Sequence, residues 1–240
     1  MKYDNIAAGI SSRLKLASPP VAISFVEAAP TGMAVFDQEV PSACTFWRQA
    51  ETEVFYASAE KHFNCPIGAM TMGFDVPKDV QQNLMGVVEM MCAAGYLTPE
   101  EAARIPTVGK RKSGIVYGPL RAFTTEPDLV LMWLTPGQAM IYSEAAGTCR
   151  WTEALPTPAF GRPSCAALPA ALDKSQSTLS LGCLGMRIFT DVSQDQLLAV
   201  LPGSRIEAFS RALESVAAAN QTMGEYYHAT KAKYVAPLNR

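Results

Sequence analysis

Two stretches of the chain share one order of residues, and this repetition constrains the fold more than any other feature. Val21–Phe25 and Leu129–Trp133 are apolar runs of the length of a buried strand. Each run is followed by a proline and a serine that lead into a cysteine, Cys44 in the first half and Cys165 in the second. The pattern predicts two related units built around buried strands.

A second cysteine completes the repeat in each half. Cys65 follows Cys44 by 21 positions and Cys183 follows Cys165 by 18 positions, and both have a glycine nearby. If the repeat comes from a duplication, two intimately packed lobes would each contribute a pair of cysteines to a shared crevice. The lobes would span about 1–110 and 111–240. Because the matched segments are short, chance is the alternative, and the 240 residues are treated as a single domain.

Elsewhere the sequence mixes strand and helix patterns without strict alternation, which favours an α+β (mixed α/β) fold. Thr98 and Thr135 are each followed by proline and predict capped helix starts. A longer helix is predicted over 77–94, with five residues facing the core: Val80, Leu84, Val87, Val88 and Met91. Met186–Thr190 is predicted as sheet material. A long C-terminal helix, with an apolar face that reaches Met223, could also form a homodimer.

Composition excludes two classes of partner. A net charge of −2 and a pI near 5.8 provide no electrostatic footprint for nucleic acid. No apolar run approaches the roughly 18–20 residues that a membrane-spanning helix needs, and the N-terminus lacks a signal-peptide pattern. We therefore expect a cytoplasmic protein, in which the six cysteines are free, metal-bound or redox-active rather than paired in structural disulfides.

The four repeated cysteines are candidate metal ligands. Thiolates are the donors that iron–sulfur clusters and zinc prefer, although the chain contains no Cys-x-x-Cys motif and a cysteine can equally be a buried packing residue. All four lie beside proline or glycine, where elements end and ligands usually lie. Cys92, by contrast, falls inside an apolar helix and is predicted to pack in the core, and Cys149 has no predicted role.

Three further side chains are predicted to line a small-molecule pocket beside the cysteines and to bind its substrate. Arg48 and Arg187 each stand four positions after a cysteine, where a guanidinium would favour a thiolate or bind an anionic substrate. A simple ion pair is the alternative for both. His62, three positions before Cys65, could be a metal ligand, a proton-transfer group or a structural histidine.

Four segments give the chain a family resemblance: Cys44–Ala50, Cys65–Gly68, Arg162–Pro169 and Gly182–Arg187. With the helix that contains Ala219-Asn220, they resemble the domain-of-unknown-function 169 (ArCR) family over about 6–227. The resemblance implies that the four repeated cysteines belong to a recurring pattern, which Cys92 and Cys149 do not share. It implies no activity.

The leading hypothesis is therefore an iron–sulfur protein with a 4Fe-4S cluster. Cys44, Cys65, Cys165 and Cys183 would be its ligands. Four cysteine ligands would suit electron transfer to a protein partner, whereas three would leave an iron open to a small-molecule substrate. The alternatives are a zinc or thiol-redox protein, and a non-catalytic module that binds a ligand or partner.

Overall fold

The computed structural model describes residues 2–109, 113–148 and 159–234. Cys149 and the basic segment at 110–112, predicted from sequence to be a solvated loop, lie outside these ranges. Nine α-helices occur in the described residues: α1 (Asp4–Leu14), α2 (Thr45–Gln49), α3 (Pro66–Thr71), α4 (Lys78–Ala93), α5 (Pro99–Ala102), α6 (Pro136–Ala145), α7 (Ala167–Lys174), α8 (Leu184–Thr190) and α9 (Ile206–Tyr234).

A single sheet organises the chain. Its seven strands within the described residues are β1 (Val21–Val26), β2 (Phe55–Ser58), β3 (Gly114–Pro119), β4 (Leu129–Leu134), β5 (Ala159–Phe160), β6 (Thr178–Ser180) and β7 (Leu197–Pro202). They lie in the order β2-β3-β1-β4-β7-β6-β5, and neighbours are antiparallel except for β5 and β6. This mixed sheet with nine described helices confirms the predicted α+β class.

Alternation along the strands builds one core on each face of the sheet. Val21 and Ile23 face the first core together with α2 and α7. Ala22, between them, faces the second core, which α1, α6 and α9 cover. The two capping boxes predicted from sequence are present: Thr98 opens α5 and Thr135 opens α6.

The strand order reads the same from either side of the β1–β4 pair. Moving outward, β1 is followed by β3 and β2, and β4 is followed by β7 and β6. The registers agree as well. Val21, the first residue of β1, pairs with Pro119, the last of β3, and Leu129, the first of β4, pairs with Pro202, the last of β7.

The correspondence extends to the outer strands and to the turns. Phe55 begins β2 and pairs with Tyr117, two positions before the end of β3. Thr178 begins β6 and pairs with Val200, likewise two positions before the end of β7. The strand order is the one that a duplication would produce, and duplication stays a hypothesis. Strand β3 pairs with both β1 and β2, and the lobes of about 1–110 and 111–240 stay a prediction.

One prediction of burial and one prediction of secondary structure are wrong. Helix α4 forms where expected, but none of its residues is fully buried, because the helix covers the outer side of a cavity rather than the core. Met186–Thr190 belongs to a helix, α8, and not to the sheet. The turn at Gly182, with a φ of 88°, ends the extended chain after β6 and lets the helix begin.

Helix α9 continues well beyond the core that it covers. Its first turns bury Phe209 and Leu213, whereas Met223 is 45% exposed. The apolar face therefore ends earlier than predicted, and a homodimer through this helix stays a prediction. No helix in the described part of the chain combines the length and the apolar character needed to cross a membrane.

Candidate thiol site

One cavity collects the four cysteines that the sequence singled out. Cys44, Cys65, Cys165 and Cys183 all line a space of about 290 Å³ beside the first core. The residues come from four segments, two before and two after the central β4 strand. Most of the remaining wall is apolar and comes from α3, α4, α8 and the loop after α4.

Each cysteine stands where a helix begins. Cys44, Cys65 and Cys183 immediately precede α2, α3 and α8, and Cys165 lies in the 3₁₀ turn Ser164–Ala166 that leads into α7. The first turn of a helix has free backbone N–H groups, which favour negative charge on a nearby sulfur. For Cys183 such a contact is present, because the Met186 N–H donates to its Sγ at 3.4 Å.

Two serines hold the thiol segments in place. The Ser42 Oγ lies 3.0 Å from the Cys44 Sγ. The Cys183 backbone N–H donates to the Ser164 Oγ at 2.6 Å and so connects the segment of Cys165 to that of Cys183. Both serines are buried and line the cavity. Each serine stands shortly before the first cysteine of its half. Ser42 is two residues before Cys44, and Ser164 is one residue before Cys165.

Two glycines near the second cysteine of each half stand where a side chain would not fit. A Cβ on Gly68 would meet the Cys65 Sγ at 2.9 Å and the Ala43 side chain at 3.0 Å. A side chain at Gly182 would be strained by its positive φ and would meet the Met186 side chain at 2.5 Å. These two close approaches explain why glycine accompanies the second cysteine of each half.

Burial keeps two of the thiols protonated. It raises the pKa of the Cys44 thiol to about 12, with further increases from charge on Cys65 and Cys183. Burial also raises the pKa of Cys165 well above its ordinary value, and the other three cysteines raise it further. The thiols are thus close enough to repel one another when ionised, and a cation among them would reverse this effect.

The structure places Arg48 and Arg187 away from the cavity lining. Arg48 donates to the Glu51 carboxylate at 2.5 Å, and Glu51 also accepts from the Trp133 indole at 3.0 Å. Arg187 donates to the backbone carbonyls of Leu181, Ser193 and Gln196. Arg187 therefore holds the turn that presents Cys183, and neither arginine is among the residues that line the cavity.

His62 is also absent from the cavity lining. It is 1% exposed, and its Nδ1 lies 2.8 Å from the Ser58 carbonyl oxygen, so Nδ1 must donate. Its Nε2 therefore accepts from the Tyr117 hydroxyl at 2.9 Å. Burial lowers the pKa of His62 to about 4, and the ring packs against Phe46 and Phe74 as a neutral core residue.

Sequence reasoning missed three groups at the cavity. Arg162 lines it with its guanidinium carbon 4.0 Å from the ring centre of Tyr96, which lines it too. Trp47 is 1% exposed, lines the cavity, and its indole N–H has no hydrogen-bond partner among the described residues. The position of Arg162, three before Cys165, was the available clue.

In the described residues, no three His, Cys, Asp or Glu side chains converge closely enough to hold one metal ion. An iron–sulfur cluster makes a different demand, because each thiolate binds its own iron and the sulfurs surround a volume rather than a point. A set of four cysteines without a carboxylate fits the donor chemistry of such a cluster.

Fold and site together define an α+β protein with a four-cysteine cavity. A family model described as DUF169, uncharacterised ArCR, matches residues 9–212, and the chain belongs to this family. This confirms the resemblance drawn from the cysteine segments. No curated protein and no solved structure shows a significant match.

Proposed function

We propose that the protein holds an iron–sulfur cluster of the 4Fe-4S type. The observation that carries the proposal is the convergence of Cys44, Cys65, Cys165 and Cys183 on one cavity from four distant segments. Cys92, the other cysteine in the described residues, lies on α4 and does not line this cavity. The convergence thus selects the four cysteines that share the repeated pattern.

A cationic guest would offset the repulsion among the four thiols when they ionise. Burial and that repulsion keep Cys44 and Cys165 protonated in the empty site. Metal binding would displace the thiol protons, and the site would then load more readily as the pH rises. A bound cluster would supply one-electron chemistry or, at an iron without a protein ligand, Lewis-acid chemistry.

The apolar walls of the cavity support a site from which water is largely excluded. Val87 and Met91 of α4 and Phe189 of α8 form part of the wall, with Leu97 and Ile105 from the intervening loops. Apolar walls lower the local dielectric and limit access to sulfur and iron, which tunes a redox potential. We infer either electron transfer to a partner or transformation of a small molecule bound beside the cluster.

The test is purification without oxygen from iron-replete cells, followed by assays of iron, acid-labile sulfide and the visible spectrum. We expect brown protein with iron and sulfide in equal amounts. Serine variants of the four cavity cysteines should lose most of both, because serine is a poor ligand for a soft metal. Cys92→Ser is the matched control and should retain the cluster.

Other outcomes identify the alternatives. Stoichiometric zinc without sulfide would establish a zinc site, and a disulfide that forms reversibly between cavity cysteines would indicate thiol-redox chemistry. A colourless, metal-free protein, even after reconstitution with iron and sulfide, would overturn the proposal. In that case the four serine variants should keep the thermal stability of the wild type within a few degrees, as expected for a ligand-binding module.

A further inference from the structure

The cavity has one formal charge among its described lining residues, and that charge is a cation. Arg162 is the one basic residue among the described residues of the lining. No aspartate, glutamate or histidine in the described residues shares the lining. Arg162 is exposed, so it stands at the mouth of the cavity rather than in its depth. None of the ion pairs in the described residues involves it.

Stacking on Tyr96 prepares Arg162 to bind an anion. The guanidinium lies over the ring with its carbon 4.0 Å from the ring centre. A guanidinium held over a ring in this way still has N–H donors to offer a planar carboxylate. Tyr96 itself is fixed because its hydroxyl accepts from the Leu184 N–H at 3.3 Å.

A second donor without a partner among the described residues belongs to Trp47, another residue of the cavity lining. The Trp47 indole N–H is buried without a hydrogen-bond partner in the described part of the chain. Burying a donor without a partner is unfavourable, and an acceptor group on a ligand would remove that cost. The lining that Arg162 and Trp47 share is largely apolar, with Val87, Met91 and Phe189 among its residues.

We propose that the cavity binds a small monocarboxylate with an apolar body and an acceptor group such as a ketone. Arg162 binds the carboxylate, and the Trp47 indole N–H binds the acceptor. A single guanidinium matches one carboxylate better than a polyanion. The assignment rests on the proposed function only in that it places this ligand in the same cavity, beside the cluster.

The experiment is calorimetric titration of the full chain, prepared with and without iron and sulfide, using three probes of similar length. Pentanoate carries the carboxylate, pentanamide is its neutral analogue, and levulinate adds a ketone to the same chain. We expect levulinate to bind more tightly than pentanoate, and pentanamide to bind at least about tenfold more weakly than pentanoate.

Variants separate the two donors. Arg162→Met should weaken pentanoate binding by about tenfold or more, Arg162→Lys should restore part of it, and Arg211→Met, at an exposed arginine of α9, should change nothing. Trp47→Phe should keep pentanoate binding and remove the advantage of levulinate, which we expect to be about fivefold.

Iron and sulfide are measured in every sample, so that the two proposals can fail separately. Binding that depends on Arg162 in a protein without a cluster would support the carboxylate site and count against the cluster. A cluster-loaded protein with no saturable pentanoate binding would overturn the carboxylate site alone. Equal affinity for pentanoate and pentanamide, or full binding by Arg162→Met, would also overturn it.

Discussion

The two halves of the sheet have the same hydrogen-bond register but bury different chemistry. In the first half, Tyr117 of β3 lies beneath a buried histidine and a cluster of aromatic rings. Val200 occupies the equivalent position of β7 and is fully buried with no polar atom in its side chain. A shared backbone therefore does not require a shared core. Features that both halves share are those that build the cavity, whereas the aromatic core belongs to the first half.

What both halves provide is the means to place two cysteines. In each, one cysteine precedes the outer strand, β2 or β6, and the other follows it. Both inner strands, β3 and β7, end in proline and run directly into a 3₁₀ turn. In each half the residue after that proline donates its N–H to a carbonyl just before the central strand: Leu120 to Pro20, and Gly203 to Asp128, both at 2.8 Å.

The largest effect is expected where these equivalent turns differ in sequence. A Cβ on Gly203 would lie 1.6 Å from the backbone oxygen of Pro127, so Gly203→Ala must displace the main chain. We expect a loss of more than about 4 kcal/mol in the free energy of unfolding, or failure to fold. Leu120, at the equivalent position, is fully buried, and Leu120→Ala should cost about 2–5 kcal/mol through the cavity it leaves.

Urea unfolding of the purified variants measures both changes. Gly224→Ala is the matched control, because nothing lies within 4 Å of a Cβ at this position of α9, and it should stabilise the protein by up to about 1 kcal/mol. Wild-type stability in Gly203→Ala would show that the turn after β7 can move. The turns after β3 and β7 would then not be equally fixed, which would contradict their equivalence.

A smaller effect on stability should come from the hydrogen-bonded pair of His62 and Tyr117 in the first half. Burial lowers the pKa of His62 to about 4 from an ordinary value of 6.5. Between these values the unfolded chain binds a proton that the folded protein does not, so stability must fall as the pH falls from 6.5 towards 4. The difference in pKa corresponds to about 3 kcal/mol, most of which is lost by pH 4.

The measurement is the free energy of unfolding between pH 4 and pH 7, for the wild type and for two variants. His62→Gln should remove most of this pH dependence of about 3 kcal/mol, whatever the substitution costs in stability at neutral pH. His228→Gln changes an exposed histidine of α9 and should leave the pH dependence as it is. An NMR titration that found His62 protonated near pH 6.5 in the folded protein would contradict the argument.

Much of this organisation could be predicted from the sequence because it depends on short-range patterns. Apolar runs located β1 and β4, and Thr-Pro pairs located the starts of α5 and α6. The cysteine pairs were found because proline and glycine mark the ends of elements. Periodicity failed for α4, since an apolar face that covers a cavity has the same pattern as one that packs into a core.

The direction of long polar side chains could not be predicted. Arg48 and Arg187 have the same spacing from a cysteine, yet one pairs with Glu51 and the other binds backbone carbonyls, because the local turns decide what each guanidinium can reach. Arg162 contacts Tyr96 across 66 positions of sequence, and no local pattern marks that contact. The tertiary position of each arginine, and not its distance in sequence from a cysteine, therefore determines whether it lines the cavity.

The smallest effect concerns Cys44 and Cys165, the equivalent cysteines before β2 and β6. Burial raises the pKa of both, to about 12 for Cys44. At pH 8 the thiolate of Cys44 should be about a thousandfold scarcer than that of a thiol with a pKa of 9, although higher basicity makes each thiolate more reactive. With a Brønsted coefficient of about 0.4–0.5, the net slowing is roughly 50-fold, or about 2 kcal/mol in activation free energy.

Cluster-free protein treated with dithiodipyridine, with site-resolved mass spectrometry, gives the rate at each cysteine. The same cysteines in urea-unfolded protein are the reference. Similar slowing at Cys44 and Cys165 would show that the two halves place their first thiol in equivalent, desolvated positions. Slow reaction at one and fast reaction at the other would mean that the shared register of the sheet does not extend to the cavity, and the four cysteines would then have to be treated as four unrelated positions.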